Sequence, residues 1–149
     1  MKQLFFAILL CIITSNASAQ FVAKMQLKEP VKGLCYSDVY ALLPLSGQKE
    51  AECLTSKDDL LKKLNSEVTY FKDSTNYEDK GMVSIIINCK GEAVKCEIDN
   101  KTRHKELDDQ VVAVFATLTK WKPGKLKKDE VDSVKLWSFQ IKNGKITIE

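Results

Sequence analysis

The 149-residue chain has one histidine, His104, set between Arg103 and Lys105. Metal centres and nucleophilic triads draw on several converging His, Cys and carboxylate groups, so a lone histidine in a charged stretch reads as an exposed loop residue. There is no CxxC pair, which argues against zinc ribbons and thioredoxin-type redox chemistry. A glycine-rich phosphate loop and a nucleophile elbow are also missing. Asp108 and Asp109 are adjacent on a predicted helix and point about 100° apart, so they read as helix N-terminal charge and not as paired carboxylates. Charge of one sign is lacking too. The 23 Lys and Arg residues and 20 Asp and Glu residues are interspersed, and loss of Lys2 with the first 19 residues lowers the net charge from +3 to +2. Such a surface creates no field suited to nucleic acid or an anionic membrane. The expectation is a non-enzyme with no cofactor, no metal and no nucleic-acid partner.

What is present begins with an export signal. Lys2 supplies a positive start, residues 4–13 form a short apolar run, and Ala17-Ser18-Ala19 gives a small-x-small cleavage pattern. A membrane anchor needs about 18 to 20 apolar residues, and this run stops at Thr14-Ser15-Asn16. Acylation at Cys11 is disfavoured because Leu10 precedes it where that processing wants a small residue. The reading is a signal peptide over 1–19, a cysteine-containing leader over 20–54 and one folded domain over 55–149, soluble and periplasmic or otherwise exported. Four cysteines remain after cleavage, Cys35, Cys53, Cys89 and Cys96. An even number in an oxidising compartment predicts disulfides, with three possible connectivities.

The leader has weak periodicity and is punctuated by Pro30, Gly33, Pro44 and Gly47. Ser37-Asp38 is positioned to cap a short helix that Pro44 would stop. Thr55-Ser56, then Asp58-Asp59, start a helix over 57–68 with Leu60, Leu61 and Leu64 on its apolar face. Gly81 opens a hairpin in which Val83, Ile85, Ile87 and Cys89 alternate, Lys90-Gly91 turns, and Val94, Cys96 and Ile98 alternate on the return. A second helix over 106–120 carries Leu107, Val111, Val114, Phe115 and Leu118 as a stripe, with Trp121 as a core wedge at its end and Pro123-Gly124 as its stop. The third strand, 131–142, places Trp137, Phe139 and Ile141 on one face and Val134 and Leu136 on the other, which suggests a bulge or cover on both faces. Asn143-Gly144 is a turn signal, with Ile146 and Ile148 as a short fourth strand. The fold class is α+β, an antiparallel sheet of three strands, four if the tail pairs, with two helices on one face. With a two-residue turn, Cys89 faces Glu92 and Cys96 lies about 13 Å further along, beyond the reach of a disulfide. Each hairpin cysteine should therefore bond to the leader through Cys35 or Cys53. The fallback is a Cys35–Cys53 bond with the hairpin thiols reduced.

Gly81-Met82-Val83, Asn88-Cys89-Lys90-Gly91-Glu92, Leu107-Asp108, Trp121-Lys122-Pro123-Gly124 and Phe139-Gln140-Ile141 occur in an order and spacing that resembles the C-terminal domain of the TonB energy-transducer family, over about 57–142. In that family the domain lies in the periplasm and grips an extended segment of an outer-membrane transporter by adding it beside its last strand. The resemblance implies that the partner-binding strand here is Val134, Lys135, Leu136, Trp137, Ser138, Phe139, Gln140 and Ile141, and that the partner is an envelope protein such as an outer-membrane transporter. The transducers' membrane helix and proline-rich spacer have no counterpart, so binding without force transmission is expected. The alternative is a disulfide-stapled structural or adaptor protein whose sheet edge is covered by its own C-terminal strand.

Mass spectrometry of the exported protein is expected to find Gln20 as its first residue. A retained Met1 or an acylated Cys11 would overturn the export reading.

Overall fold

The structure, a computed structural model, describes residues 21–72 and 76–149. The cleavage site lies outside them. The chain runs through β1 (Ala23–Met25), β2 (Val39–Ala41), β3 (Gln48–Lys49), β4 (Glu52–Cys53), α1 (Lys57–Glu67), β5 (Asp79–Ile87), β6 (Ala93–Asn100), α2 (Lys105–Phe115), β7 (Trp121–Lys122), β8 (Gly124–Leu126), β9 (Asp129–Val131), β10 (Ser133–Lys142) and β11 (Lys145–Ile148). The class is α+β, as expected, but the main sheet has six strands in the order β1-β2-β10-β5-β6, with β11 also on β10. It is mixed, because β2 meets β10 in parallel at Tyr40↔Ser133.

The helical face is built as the periodicity indicates. Leu60 and Leu64 of α1 and Leu107, Val111 and Phe115 of α2 cover Val83, Ile85, Ile87, Phe139 and Ile141 of the sheet. The Ser56 hydroxyl caps α1 by accepting the Asp59 N–H at 3.1 Å. α2 stops earlier than expected. Leu118 N–H bonds back to Phe115 O at 3.0 Å in a tightened last turn, and Trp121 continues as strand β7 opposite Cys53. Its ring is still a core wedge, with Nε1 donating to Leu118 O at 2.7 Å. Asp108 is buried and accepts from the Thr102 N–H and hydroxyl, so it fixes the approach to α2.

β10 carries no bulge. It pairs with β5 in unbroken antiparallel register from Ser133↔Ile87 to Ile141↔Asp79. The irregularities lie in β6, where the register shifts between Ile86 and Ile87 and again between Met82 and Val83. Val94 is thereby left out of the ladder. Ala93, Cys96 and Ile98 pack on the core, whereas Val94 turns to the leader, where a Cβ added at Gly33 would come within 3.0 Å of its Cγ1. The expected Val94-Cys96-Ile98 alternation fails at that residue.

The second face of the sheet is covered by the leader. The segment predicted as a short helix is instead β2, since Val39 and Tyr40 favour a strand once β1 and β10 offer partners. Val39 and Leu42 are buried, as are Ser84 and Ile86 of β5. The hairpin turn is longer than two residues: Asn88 N–H bonds to Glu92 O at 2.9 Å, enclosing Cys89-Lys90-Gly91. Gly91 has φ +79, and a Cβ there would lie 2.4 Å from Trp121 O, so only glycine fits. Cys89 thus sits in the loop, not opposite Glu92, and bonds to Cys35. One hairpin cysteine pairs with the leader as anticipated; the other does not, since Cys53 and Cys96 are free thiols.

Asp132 completes the clasp. Its carboxylate is fully buried, with Oδ2 accepting from Cys35 N–H (2.8 Å) and Tyr36 N–H (2.7 Å) and Oδ1 from Cys89 N–H (2.8 Å). Its carbonyl accepts from Tyr40 N–H at 2.9 Å. Leader, hairpin turn and β10 are joined through one residue.

Replacing Cys35 and Cys89 by serine releases a cross-link of sequence separation 54 and is expected to cost about 4 kcal/mol of stability. Asp132→Ala orphans three backbone donors at about 1–3 kcal/mol each and is expected to cost at least as much. Urea denaturation measures both, and a loss under about 1 kcal/mol for Asp132→Ala would show that the clasp is not structural.

Candidate functional site

β5 occupies one edge of β10 along nearly its whole length, so any added strand must use the other. There, β2 is bonded at Ser133, and β11 covers Phe139 to Lys142, with Glu149 N–H on Ser138 O at 3.0 Å. Backbone direction alternates along a strand. Because Ser138 points to β11, Leu136 points the same way. Its N–H and C=O face outward in a stretch, 135–137, with no ladder partner on that side among the described residues. Of the eight sequence-predicted binding residues, Val134 lies beside Ala41 of β2, and Lys135, Leu136 and Trp137 lie in this open stretch. Ser138, Phe139, Gln140 and Ile141 lie beside β11.

β11 is firmly seated. The Asn143-Gly144 turn forms with both residues at positive φ (52° and 69°), as its sequence predicts. Ile146 and Ile148 are buried. Asn65 of α1 takes both outward groups of Ile146, donating from Nδ2 to its C=O at 3.0 Å and accepting its N–H on Oδ1 at 2.8 Å. The sequence reading missed Asn65; the available signal was an amide inside a helix, where that residue type is a weak helix former.

The open stretch borders a cleft of about 620 Å³. Pro44 and residues 48–53 form one wall, Thr55 to Lys57 another, and Lys135 and Trp137 the third. The Lys135 ammonium pairs with Glu50 at 2.8 Å. The Lys122 ammonium, hydrogen-bonded to Glu52 at 3.0 Å, holds that carboxyl below the usual range. Trp137 is half-buried, its ring centroid 6.0 Å from that of Phe115, and its indole N–H is buried with no acceptor. A buried donor without a partner is costly. The Gln48 amide bridges Phe21 O (2.5 Å) and Leu43 N (3.1 Å), bringing exposed Phe21 and Leu43 close to the Pro44 wall. Leu45 and Leu54, also exposed, flank that wall in sequence. Singly exposed apolar residues are ordinary on a protein surface. The far edge of the sheet differs: β6 presents Lys95, Glu97 and Asp99 and two bulges, features that discourage edge pairing.

Elsewhere, His104 is exposed, as expected, and stands at the N-cap of α2 with its ring 5.1 Å from Tyr70 and 5.9 Å from Tyr77. Burial, together with the hydroxyl donated to Asp79 at 2.6 Å, pushes the Tyr77 phenol up to about 12. Burial likewise pushes the Cys96 thiol up to about 11. The sulfurs of Cys35 and Cys89 and a carboxylate oxygen of Asp132 lie within 4.8 Å of one another. The sulfurs are bonded to each other and the carboxylate receives three N–H groups, so this cluster offers no thiolate to a cation. Comparison of the chain with protein-family models, curated proteins and solved structures found no match.

Cys96 and Tyr77 are both held neutral in the fold. Their stabilising contribution is complete below pH 9 and is lost as pH rises from the ordinary values of 9.0 and 10.0 through about 11 and about 12. Unfolding free energy is expected to fall over that alkaline window, and Cys96→Ala with Tyr77→Phe should flatten the fall. At pH 8, iodoacetamide is expected to label Cys53, which lines the cleft, while Cys96 reacts only after denaturation.

Proposed function

We propose that the protein is an exported, non-catalytic binding module that captures an extended segment of another envelope protein by strand addition to β10. The observation that carries this reading is the unpaired stretch 135–137, whose Lys135 and Trp137 line the cleft. Added backbone hydrogen bonds supply affinity in this mode, and pockets for flanking side chains supply specificity. The N-terminal signal and the Cys35–Cys89 bond support an oxidising compartment outside the cytoplasm. Among the described residues no helix is long and apolar enough to cross a membrane. The resemblance to the TonB C-terminal domain supplies the partner class, an envelope protein such as an outer-membrane transporter. The contact stretch is shorter than that resemblance implies, because β11 holds the rest of the edge.

The pairing of β11 favours a second reading, a disulfide-stapled structural or adaptor protein with a self-covered edge. A photo-crosslinking side chain at Lys49, on the cleft wall, separates the two. The binding reading expects a discrete adduct in intact cells that disappears in Leu136→Pro, since that proline removes an outward N–H and leaves the β5 ladder intact. Thermal melting of the variant should match the parent. An adduct that persists in Leu136→Pro, or no adduct at all, would favour the self-covered reading.

A further inference from the structure

The open stretch is closed at both ends by strands lying in its own line. Tyr40 pairs with Ser133, so Ala41, the last residue of β2, lies beside Val134. At the other end Glu149 bonds to Ser138. From Val134 to Ser138 the interval spans about 13 Å and encloses three residues. A continuous strand laid along β10 would run into Ala41 in one direction and Glu149 in the other. A chain that ends within the interval can pair with Leu136 without meeting either stop.

The charges around the cleft distinguish the two kinds of chain end. Its two carboxylates are neutralised, Glu50 by Lys135 and Glu52 by Lys122. Lys57 forms no ion pair among the described residues, and Lys49 acts on Glu52 only at longer range. Glu149, at the far stop, turns its side chain to Gln140 Nε2 at 3.4 Å. A lining with surplus cations suits an anionic terminus and repels an ammonium.

We propose that the slot takes the free C-terminal end of an extended peptide, with its backbone on Leu136 and its carboxylate on the wall carrying Lys57. This rests on the strand-addition reading and narrows it from an internal segment to a chain end.

The test uses the full exported protein and two pools of randomised, N-acetylated hexapeptides, one with free carboxylates and one amidated, with retained peptides quantified by mass spectrometry. The free-acid pool is expected to be retained at least tenfold better. Lys57→Gln should shrink that preference, and Leu136→Pro should abolish retention. Equal, Leu136-dependent retention of both pools would overturn the chain-end inference while leaving strand addition standing. Retention of neither pool, or retention that survives Leu136→Pro, would overturn both.

Discussion

A carboxylate sealed from water must be matched by donors, and Asp132 is matched by three N–H groups from two distant segments, at sequence separations of 97, 96 and 43. No single segment could satisfy it. The leader and the hairpin turn must both be in place before the carboxylate is paired, which makes their docking cooperative. The Cys35–Cys89 bond lies beside this contact and constrains the same two segments. Everything on the second face follows: the burial of Val39 and Leu42, the course of β2, and the stop that Ala41 sets against the open edge of β10.

The parts of the fold legible in the sequence are those whose stabilisation is repeated along the chain. α1, the β5 strand, the α2 stripe and the Asn143-Gly144 turn each carry several residues that agree with one period or one turn type. The leader strands are two or three residues long, too short to register a period, and their partners lie far along the chain. Asp132 and Ser133 read as polar surface in the sequence because burial by the leader cannot be inferred from local pattern. The bulge at Val94 was hidden for the same reason: a two-residue turn after Cys89 fits the alternation until Asn88 is seen to close a longer loop. Of the candidate site, β10 itself was legible. The length of its open stretch was not, because that is set by where β2 and β11 end.

The edge at β6 and the outer side of β10 show opposite treatments. β6 is irregular and charged, whereas the outer side of β10 is regular and is covered piecewise by β2 and β11, with Asn65 sealing Ile146. Covering an edge from both ends and stopping short in the middle leaves a short recess and not a long template. Such a recess limits edge-to-edge aggregation while keeping backbone groups available to a ligand of matching length.

The skipped cysteine bears on how the protein matures. On the export route proposed above, a chain threaded N-terminus first exposes Cys35, then Cys53, and only later Cys89, yet the native bond joins the first to the third. An oxidant acting in order of emergence would join the wrong pair. Thiol–disulfide exchange can correct it only while Cys53 is still accessible to attack. Once β4 pairs with β7 and Cys53 packs against the core, that route narrows. Maturation is therefore a contest between isomerisation and closure of the C-terminal half, and cells with weak isomerase activity should accumulate the protein in a mispaired form.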